Sequence, residues 1–162
     1  MAPVTLQEDG RTGRPREHRE TAMVTLNPYI NFQGQAREAM SFYQSVLGGD
    51  LTVTTYAEGG MGGNHQEAAD LVMHAMLTTP GGLVLMGADT PEGMPYTPGD
   101  NVGVSLSGGP EDEEELRGVY ERLCDGARTT MPLERAPWGD HFGMVTDRYG
   151  IGWMVNIAGG AA

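Results

Sequence analysis

The sequence predicts an α+β fold in which two βαβββ units form a curled mixed sheet, or half-barrel, with the helices on its convex side. Three observations support this prediction. Short threonine-rich and β-branched runs are separated by glycine-rich turns, two segments have the periodicity of amphipathic helices, and the second half repeats the order of the first. Each unit has an open sheet edge and an apolar face that its helix covers, so pairing two units would curl eight strands around a small cavity.

In the first half, a helix is predicted over residues 35–47. Apolar side chains recur there at i, i+3, i+4 and i+7, beginning with Ala36, Ala39 and Met40, and Gly48 follows the stripe as a C-terminal glycine should. Strands are predicted at 26–32, 51–56, 71–77 and 83–86. Residues 58–69 contain four glycines and are predicted to form a loop.

In the second half, the predicted helix opens at Pro110, and the acidic run 111–115 complements the positive end of its dipole. Its apolar stripe includes Leu116, Tyr120 and Leu123. Strands are predicted at 102–106, 128–131, 142–146 and 151–157. Aligning the halves places the first helix on the second and His74 near Met144, so the sequence predicts an internal repeat.

The predicted domain organisation is a disordered tail at 1–22 and a single domain at 23–160, with units at about 24–90 and 100–158. The tail has four arginines, two prolines and no hydrophobic periodicity, so it cannot bury enough apolar surface to offset the entropy of ordering. Whether residues 1–22 are translated is left open, because Met23 is an alternative start.

Charge and composition limit the partners. The net charge of −12 disfavours nucleic acid and anionic membrane surfaces, which both need a basic face. No lysine is present, which excludes Schiff-base chemistry. Cys124 is the only cysteine, and no long apolar run or secretory signal is visible, so a cytoplasmic location is the default expectation.

Two stretches resemble the PhnB-like proteins of the vicinal oxygen chelate (glyoxalase/bleomycin resistance/dioxygenase) superfamily. The first consists of Asn-Pro-Tyr-Ile-Asn-Phe at 27–32, Gly34, Glu-Ala at 38–39, Phe-Tyr at 42–43 and Gly-Gly at 48–49. The second consists of Trp-Gly-Asp-His-Phe-Gly-Met at 138–144, Asp147, Tyr-Gly at 149–150, Trp153 and Val-Asn at 155–156. The resemblance spans about 24–158 and implies the fold, a homodimer and a cavity for a small-molecule ligand.

The resemblance also implies where a metal would bind, on the first and last strand of each unit. Those positions here are Pro28, Gly103, Met86 or Gly87, and Asn156. None offers a carboxylate or imidazole, so we expect no metal and no other cofactor, and we expect neither glyoxalase I nor extradiol dioxygenase activity. Whether any reaction is catalysed is left open, with a non-enzymatic role favoured.

The predicted ligand-binding residues are His74, Met76, Trp138, His141, Met144 and Asn156. Strand alternation places Val72, His74 and Met76 on one face and the apolar Leu71, Met73, Ala75 and Leu77 on the other, facing the helix. His74 is a candidate proton acceptor or ligand anchor, and the alternative is a structural histidine satisfied by a neighbour such as Asn156. Trp138 could cover the cavity, form a dimer contact or close the core, whereas Trp153 is expected to be core.

The leading hypothesis is therefore a metal-free small-molecule-binding protein that sequesters its ligand. The alternative is a divalent-metal-dependent lyase or dioxygenase with a displaced site that includes His74, for instance with His65 and His141. A third possibility is metal-free acid–base catalysis by His74. The sequence also leaves open whether the two units pair within one chain or between subunits.

Overall fold

The computed structural model describes residues 24–61 and 66–160, so the predicted tail lies outside the described residues. The predicted fold class is confirmed, because each half of the chain is a βαβββ unit. The elements in chain order are β1 (Tyr29–Phe32), α1 (Ala36–Leu47), β2 (Asp50–Thr55), α2 (Gln66–Ala69), β3 (Val72–Thr78), β4 (Val84–Asp89), β5 (Gly103–Gly108), α3 (Glu113–Leu123), β6 (Thr129–Arg135), β7 (His141–Thr146) and β8 (Gly152–Ile157).

The strands form two four-stranded mixed sheets with the same topology. The N-sheet has the order β1-β4-β3-β2, and the C-sheet has the order β5-β8-β7-β6. The first strand of each unit pairs in parallel with the last, and the other neighbours are antiparallel. Within the described residues the two sheets are not joined by strand pairing, so β1 and β5 are both edge strands.

Helices α1 and α3 pack against each other, and each covers one side of its own sheet. The two units therefore share a single core. The predicted apolar stripes are buried in it, and the indole of Trp153 is 1% exposed, as predicted. The ring centroids of Tyr43 and Trp153, from different units, are 5.3 Å apart. We call the side of each sheet that faces away from the helices its open face.

Asp147 joins the two units at the centre of this core. Its carboxylate is fully buried and accepts hydrogen bonds from the Tyr43 hydroxyl (2.6 Å), the Trp153 indole (2.9 Å) and the backbone amides of Tyr149 (2.8 Å) and Ile151 (3.0 Å). Burial raises the pKa of the Tyr43 hydroxyl, and the nearby negative charge of Asp147 raises it further. Tyr43 therefore stays protonated and donates to Asp147.

Contacts from the neighbouring strands fix the two ends of α1. At its start, Gln35 makes no capping side-chain bond, and the carboxylate of Asp89 instead accepts from the Ala36 amide at 2.9 Å. At its end, Gly48 and Gly49 have positive φ angles of 74° and 97°, and a Cβ on Gly49 would collide with the backbone of Thr78. Glycine is therefore required where the chain enters β2.

Several predicted boundaries differ from the structure. β1 begins at Tyr29 rather than at residue 26, and β4 continues to Asp89 rather than ending at residue 86. Residues 66–69, predicted as loop, form the short helix α2. A 3-10 turn at Pro110–Asp112 precedes α3, which begins at Glu113. The strand predicted to end at residue 131 continues to Arg135, because β6 is an edge strand and its pairing shifts between Met131 and Glu134. Proline is tolerated at such an edge irregularity, where its missing N–H breaks no ladder bond.

The predicted faces of β3 are correct from His74 to Leu77 and wrong before His74. Leu71 and Met73, predicted to face the helix, are not part of the core. Ala75 and Leu77 are buried beneath α1, and His74 and Met76 are on the open face. Val72 was predicted to share that open face, yet it is 1% exposed and part of the core. The pairing of β2 with β3 shifts between Thr54 and Thr55, which interrupts the alternation at this end of the strand.

No helix in the described part of the chain combines the length and the apolar character needed to cross a bilayer.

Candidate functional site

The open face of the N-sheet carries an aromatic–histidine pair. Tyr29, Met86 and Met76 lie side by side across β1, β4 and β3. The Tyr29 hydroxyl is 3.2 Å from Nδ1 of His74, and their ring centroids are 5.7 Å apart. Tyr29 therefore lines the open face and Ile30 faces the helix, a choice that the sequence left open.

This pair can anchor a ligand by hydrogen bonding. Burial raises the pKa of the Tyr29 hydroxyl, and Tyr56 raises it further, so Tyr29 remains an un-ionised phenol. Its contact occupies Nδ1 of His74, which leaves Nε2 to bond a ligand. The two predicted roles of His74, a ligand anchor and a histidine satisfied by a neighbour, are thus both compatible with the geometry, although the neighbour is Tyr29 rather than Asn156.

The open face of the C-sheet is lined by methionines. Met154 on β8 is directly opposite Met144 on β7, which in turn is opposite Met131 on β6. Met131 and Met144 are 44% and 42% exposed, so their thioethers are accessible on this face. By strand order and register, Met154, Met144 and Met131 correspond to Met86, Met76 and Thr52 of the first unit. Met144 is therefore equivalent to Met76, two residues from His74, the residue with which the sequence alignment matches it.

A second row of side chains lies next to the methionines on the same face, with polar residues at both ends. Asn156 is opposite Phe142, and Phe142 is opposite Glu134. The side-chain amide of Asn156 donates to Asp140 at 3.1 Å. A bond from the Gly159 amide lowers the pKa of Asp140, and the bond from Asn156 lowers it further. Asp140 thereby fixes the orientation of Asn156 and leaves its Oδ1 as an acceptor on the open face.

The two remaining predicted residues are placed differently. Trp138 is 64% exposed in the turn between β6 and β7, where its ring packs edge-on against Phe142 at 5.8 Å, so it borders the open face. His141 does not share that face. It is directly opposite the buried Ile157, on the helix side of the C-sheet, because it precedes Phe142 by one residue in an alternating strand.

Two depressions mark where a ligand could sit. A cleft of about 450 Å³ lies on the C-sheet open face, between the methionine row and the segment 100–103. A wider groove of about 1490 Å³ separates the edges of β1 and β5 and includes Arg128 and Tyr149. The cleft has the size of an ordinary small-molecule site, whereas the groove is bounded by edge strands.

The side chains at the implied metal positions do not fit a divalent ion. The structure places Met86 rather than Gly87 on the open face, together with Gly103 and Asn156, and Pro28 immediately precedes β1. Across 24–61 and 66–160, no three His, Cys, Asp or Glu side chains are grouped to hold a metal. His65, from the alternative cluster, lies outside the described residues, and the other two members, His74 and His141, are on different sheets.

Sequence reasoning missed several open-face residues. Met131 and Glu134 were not predicted because the pairing of β6 depends on a bulge around Pro132, and Asp100 lies in a connecting segment without periodicity. The unusual number of methionines, eleven in the chain, was the available signal for the methionine row. Tyr29 was undecided only because its strand could not be placed to within one residue.

The chain is similar in sequence and in fold to several known proteins. The chain is 26% identical to Protein YjdN of Escherichia coli over 145 residues, which cover 83% of this chain and 95% of YjdN. Protein PA1353 of Pseudomonas aeruginosa is 32% identical with a TM-score of 0.70, covering 85% of this chain and 99% of PA1353. The PhnB protein of Bacillus cereus is 25% identical with a TM-score of 0.65, covering 83% of this chain and all of that one (100%).

The profile of one family matches residues 25–155, nearly the whole of the described region, and the PhnB protein is among the structural neighbours. The chain belongs to the Glyoxalase/Bleomycin resistance protein/Dioxygenase superfamily.

Proposed function

We propose that this protein is a homodimeric small-molecule-binding protein that acts without a divalent metal and sequesters its ligand. The ligand lies between the N-sheet open face of one protomer and the C-sheet open face of its partner. The observation that carries the proposal is the cleft of about 450 Å³ beside the methionine row of Met131, Met144 and Met154. Thioether side chains adapt to the shape of apolar ligands, as binding walls require.

The position of the helices supports the dimer. Tyr43 on α1 contacts Trp153 and Asp147 of the second unit, so the helix-facing sides of both sheets share one core. The two open faces consequently point away from that core. A cavity walled by both kinds of face therefore requires a second copy of the chain, and a two-fold dimer would contain two such cavities.

Exposed apolar side chains and unpaired strand edges support the same arrangement. Tyr29 is 47% exposed on the N-sheet, and Trp138, Met131 and Met144 are exposed on or beside the C-sheet. Patches of this kind mark binding or assembly surfaces. The edges of β1 and β5 border the wide groove, where a partner's strands could cover them.

The polar groups on the open faces favour binding over catalysis. His74 is paired with an un-ionised Tyr29, and Asn156 is held by Asp140. Both can orient a ligand by hydrogen bonding. The side chains at the implied metal positions are those of methionine, glycine, proline and asparagine, which would not activate a substrate oxygen.

The proposal is tested by titrating the purified protein with neutral acridine, a planar apolar probe, while light scattering measures the oligomeric state. The wild type should be a dimer that binds acridine, and Met144→Trp, which fills the cleft, should abolish binding. Met94→Trp is the matched control, because Met94 is 58% exposed in the connection after β4. A monomer, or a dimer that binds no acridine, would refute the proposal.

Elemental analysis of protein purified without chelator discriminates the metal-dependent alternative. Stoichiometric zinc, nickel, iron or manganese, reduced by His74→Ala, would establish a displaced metal site and favour a lyase or dioxygenase. Absence of bound metal, with acridine binding retained, supports the proposal as stated.

A further inference from the structure

The contact between Tyr29 and His74 bridges the open face of the N-sheet above β4. Tyr29 is on β1 and His74 is on β3, and β4 lies between these two strands. Ala75 pairs with Gly87, so the next residues, His74 and Ala88, lie beside each other. Because Ala88 has only a methyl side chain, the two rings can meet above the strand, with the Tyr29 hydroxyl 3.2 Å from Nδ1 of His74. His74 is therefore held by a residue two strands away.

The chemistry of the two groups determines which of them donates in this hydrogen bond. A phenol is a stronger donor than a neutral imidazole, and an imidazole nitrogen without a proton is a stronger acceptor than a phenol oxygen. Tyr56, the tyrosine that acts on Tyr29, donates its own hydroxyl to the Asp89 carbonyl at 3.3 Å. Among the described residues, the Tyr29 hydroxyl has no hydrogen-bond partner besides His74. Tyr29 therefore donates to Nδ1.

This direction fixes the tautomer of His74. A neutral imidazole carries one proton, so Nε2 holds it when Nδ1 accepts a hydrogen bond. Within the described part of the chain, Nε2 of His74 has no protein partner, and no buried side-chain nitrogen or oxygen is left unsatisfied. Nε2 is therefore accessible, and it lies at the end of the ring farther from the backbone. His74 consequently presents an N–H donor to the open face.

The neighbours of His74 make this donor selective. The methionines beside it, Met76 and Met86, offer thioethers, which accept hydrogen bonds weakly and donate none. Thr54 is opposite His74 on β2, and its hydroxyl can donate or accept, so it imposes no choice on a ligand. A ligand that covers this face removes water from Nε2, and an N–H left without an acceptor is costly. A site with such a donor discriminates against analogues that lack the acceptor.

From this geometry we infer that His74 is a hydrogen-bond donor to the ligand and that Tyr29 is its positioning residue. The ligand is then an apolar molecule that carries a hydrogen-bond acceptor, such as a ring nitrogen or a carbonyl oxygen, on the side that meets the N-sheet. This inference rests on the proposed function, which puts the ligand against this face. It adds the hydrogen-bonding class of the ligand, which the proposed function leaves undetermined.

Two probes of the same three-ring shape test the inference at about pH 8, where imidazole is neutral. Phenanthridine has a ring nitrogen that accepts a hydrogen bond, and phenanthrene has none. Relative to wild type, His74→Leu should reduce the ratio of the phenanthridine affinity to the phenanthrene affinity about fivefold, the value of one hydrogen bond between neutral groups. Tyr29→Phe should reduce it about twofold, because the imidazole is no longer held in place.

His141→Leu is the matched control, because it removes an imidazole from the helix side of the C-sheet. It should leave the affinity ratio unchanged. An equal ratio in wild type and His74→Leu, or an equal reduction by His141→Leu, would overturn the inference while leaving the proposed function intact. Failure of both probes and of acridine to bind would overturn both.

Nitrogen-15 NMR of the histidine side chains tests the role of Tyr29 independently of binding. The signals of His74 are assigned by their loss in His74→Leu, and they should show an unprotonated Nδ1 and a protonated Nε2 in the wild type. In Tyr29→Phe both signals should shift towards those of a free imidazole that exchanges between its tautomers. A protonated Nδ1 in the wild type, or signals that Tyr29→Phe leaves unchanged, would refute the positioning role.

Discussion

Asp147 is the residue on which the shared core most depends. Replacing it with alanine would leave the Tyr43 hydroxyl, the Trp153 indole and two backbone amides without their acceptor. We expect Asp147→Ala to lower the free energy of unfolding by about 3–5 kcal/mol, measured by urea denaturation, because unsatisfied buried donors are costly.

Asp125→Ala is the control for this experiment. The Asp125 side chain is 81% exposed and paired with Arg148 at 2.9 Å. An exposed pair contributes about 0–1 kcal/mol, so this variant should unfold almost as the wild type does. Equal losses in the two variants would show that the buried network has no special role.

The raised pKa values of two tyrosines predict that the stability of the fold decreases at alkaline pH. Burial raises the pKa of Tyr120 to about 12 and that of Tyr149 to about 12. Their hydroxyls donate to the Met131 carbonyl and the Glu38 carboxylate. Because an unfolded tyrosine titrates near pH 10, the folded state holds these protons more tightly. Their stabilising contribution is complete below about pH 10 and is lost as the pH rises through about 12.

We therefore expect the urea midpoint of the wild type to fall between pH 10 and 12. In the double variant Tyr120→Phe/Tyr149→Phe the midpoint should fall less steeply, because two of the protons involved are absent. The remaining slope belongs in part to Tyr43, whose pKa burial also raises. An unchanged slope in the double variant would contradict this account.

At the scale of the element, α1 depends on a carboxylate from a distant strand. Asp89 on β4 accepts from the Ala36 amide and from the Val72 amide at 3.0 Å. We expect Asp89→Ala to lower the free energy of unfolding by about 2 kcal/mol, because it removes a helix cap and a charge at the positive end of the helix dipole. Asp89→Asn should lose about 1 kcal/mol, since it retains an acceptor.

Hydrogen exchange distinguishes this effect from general destabilisation. The amides of the first turn of α1 should exchange faster in Asp89→Ala than in wild type, by a larger factor than those of α3. Asp70→Ala, at an exposed position before β3, is the control and should change the exchange rates of neither helix. Uniform acceleration across both helices would argue against a capping role.

The elements also show what the sequence could predict. The helices were predictable because their apolar spacing and the glycine at the end of each are local signals, and α1 ends at Leu47 as predicted. The extension of β6 through Pro132 and the burial of Val72 were not, because both follow from shifts in strand pairing. The open-face positions of the candidate site were predictable where simple alternation holds, at His74, Met76, Met144 and Asn156, and not where a bulge changes the register.

At the scale of the whole molecule, the proposed cavity makes a prediction about mixed dimers. Met76→Trp blocks the N-sheet face, and Met144→Trp blocks the C-sheet face, so each homodimer should fail to bind acridine. A heterodimer of the two variants would contain one cavity blocked on both sides and one cavity intact. An equimolar mixture that exchanges subunits freely should therefore recover about one quarter of the wild-type capacity.

Calorimetric titration before and after subunit exchange measures this recovery. A mixture of each variant with itself, treated in the same way, is the control. If the cavity were formed within one chain, every chain in the mixture would remain blocked, and no capacity would return. That result would reassign the site while leaving the fold unaffected.

The bond between Tyr43 and Asp147 has a further consequence for how this duplicated protein can exist. The donor belongs to the first repeat and the acceptor to the second, so neither repeat is chemically complete alone. A product truncated in the connection between them would expose to water the apolar surface that each repeat buries against the other. We therefore expect the two repeats, although built alike, to fold as one unit, and either half made alone to be degraded by cellular proteases.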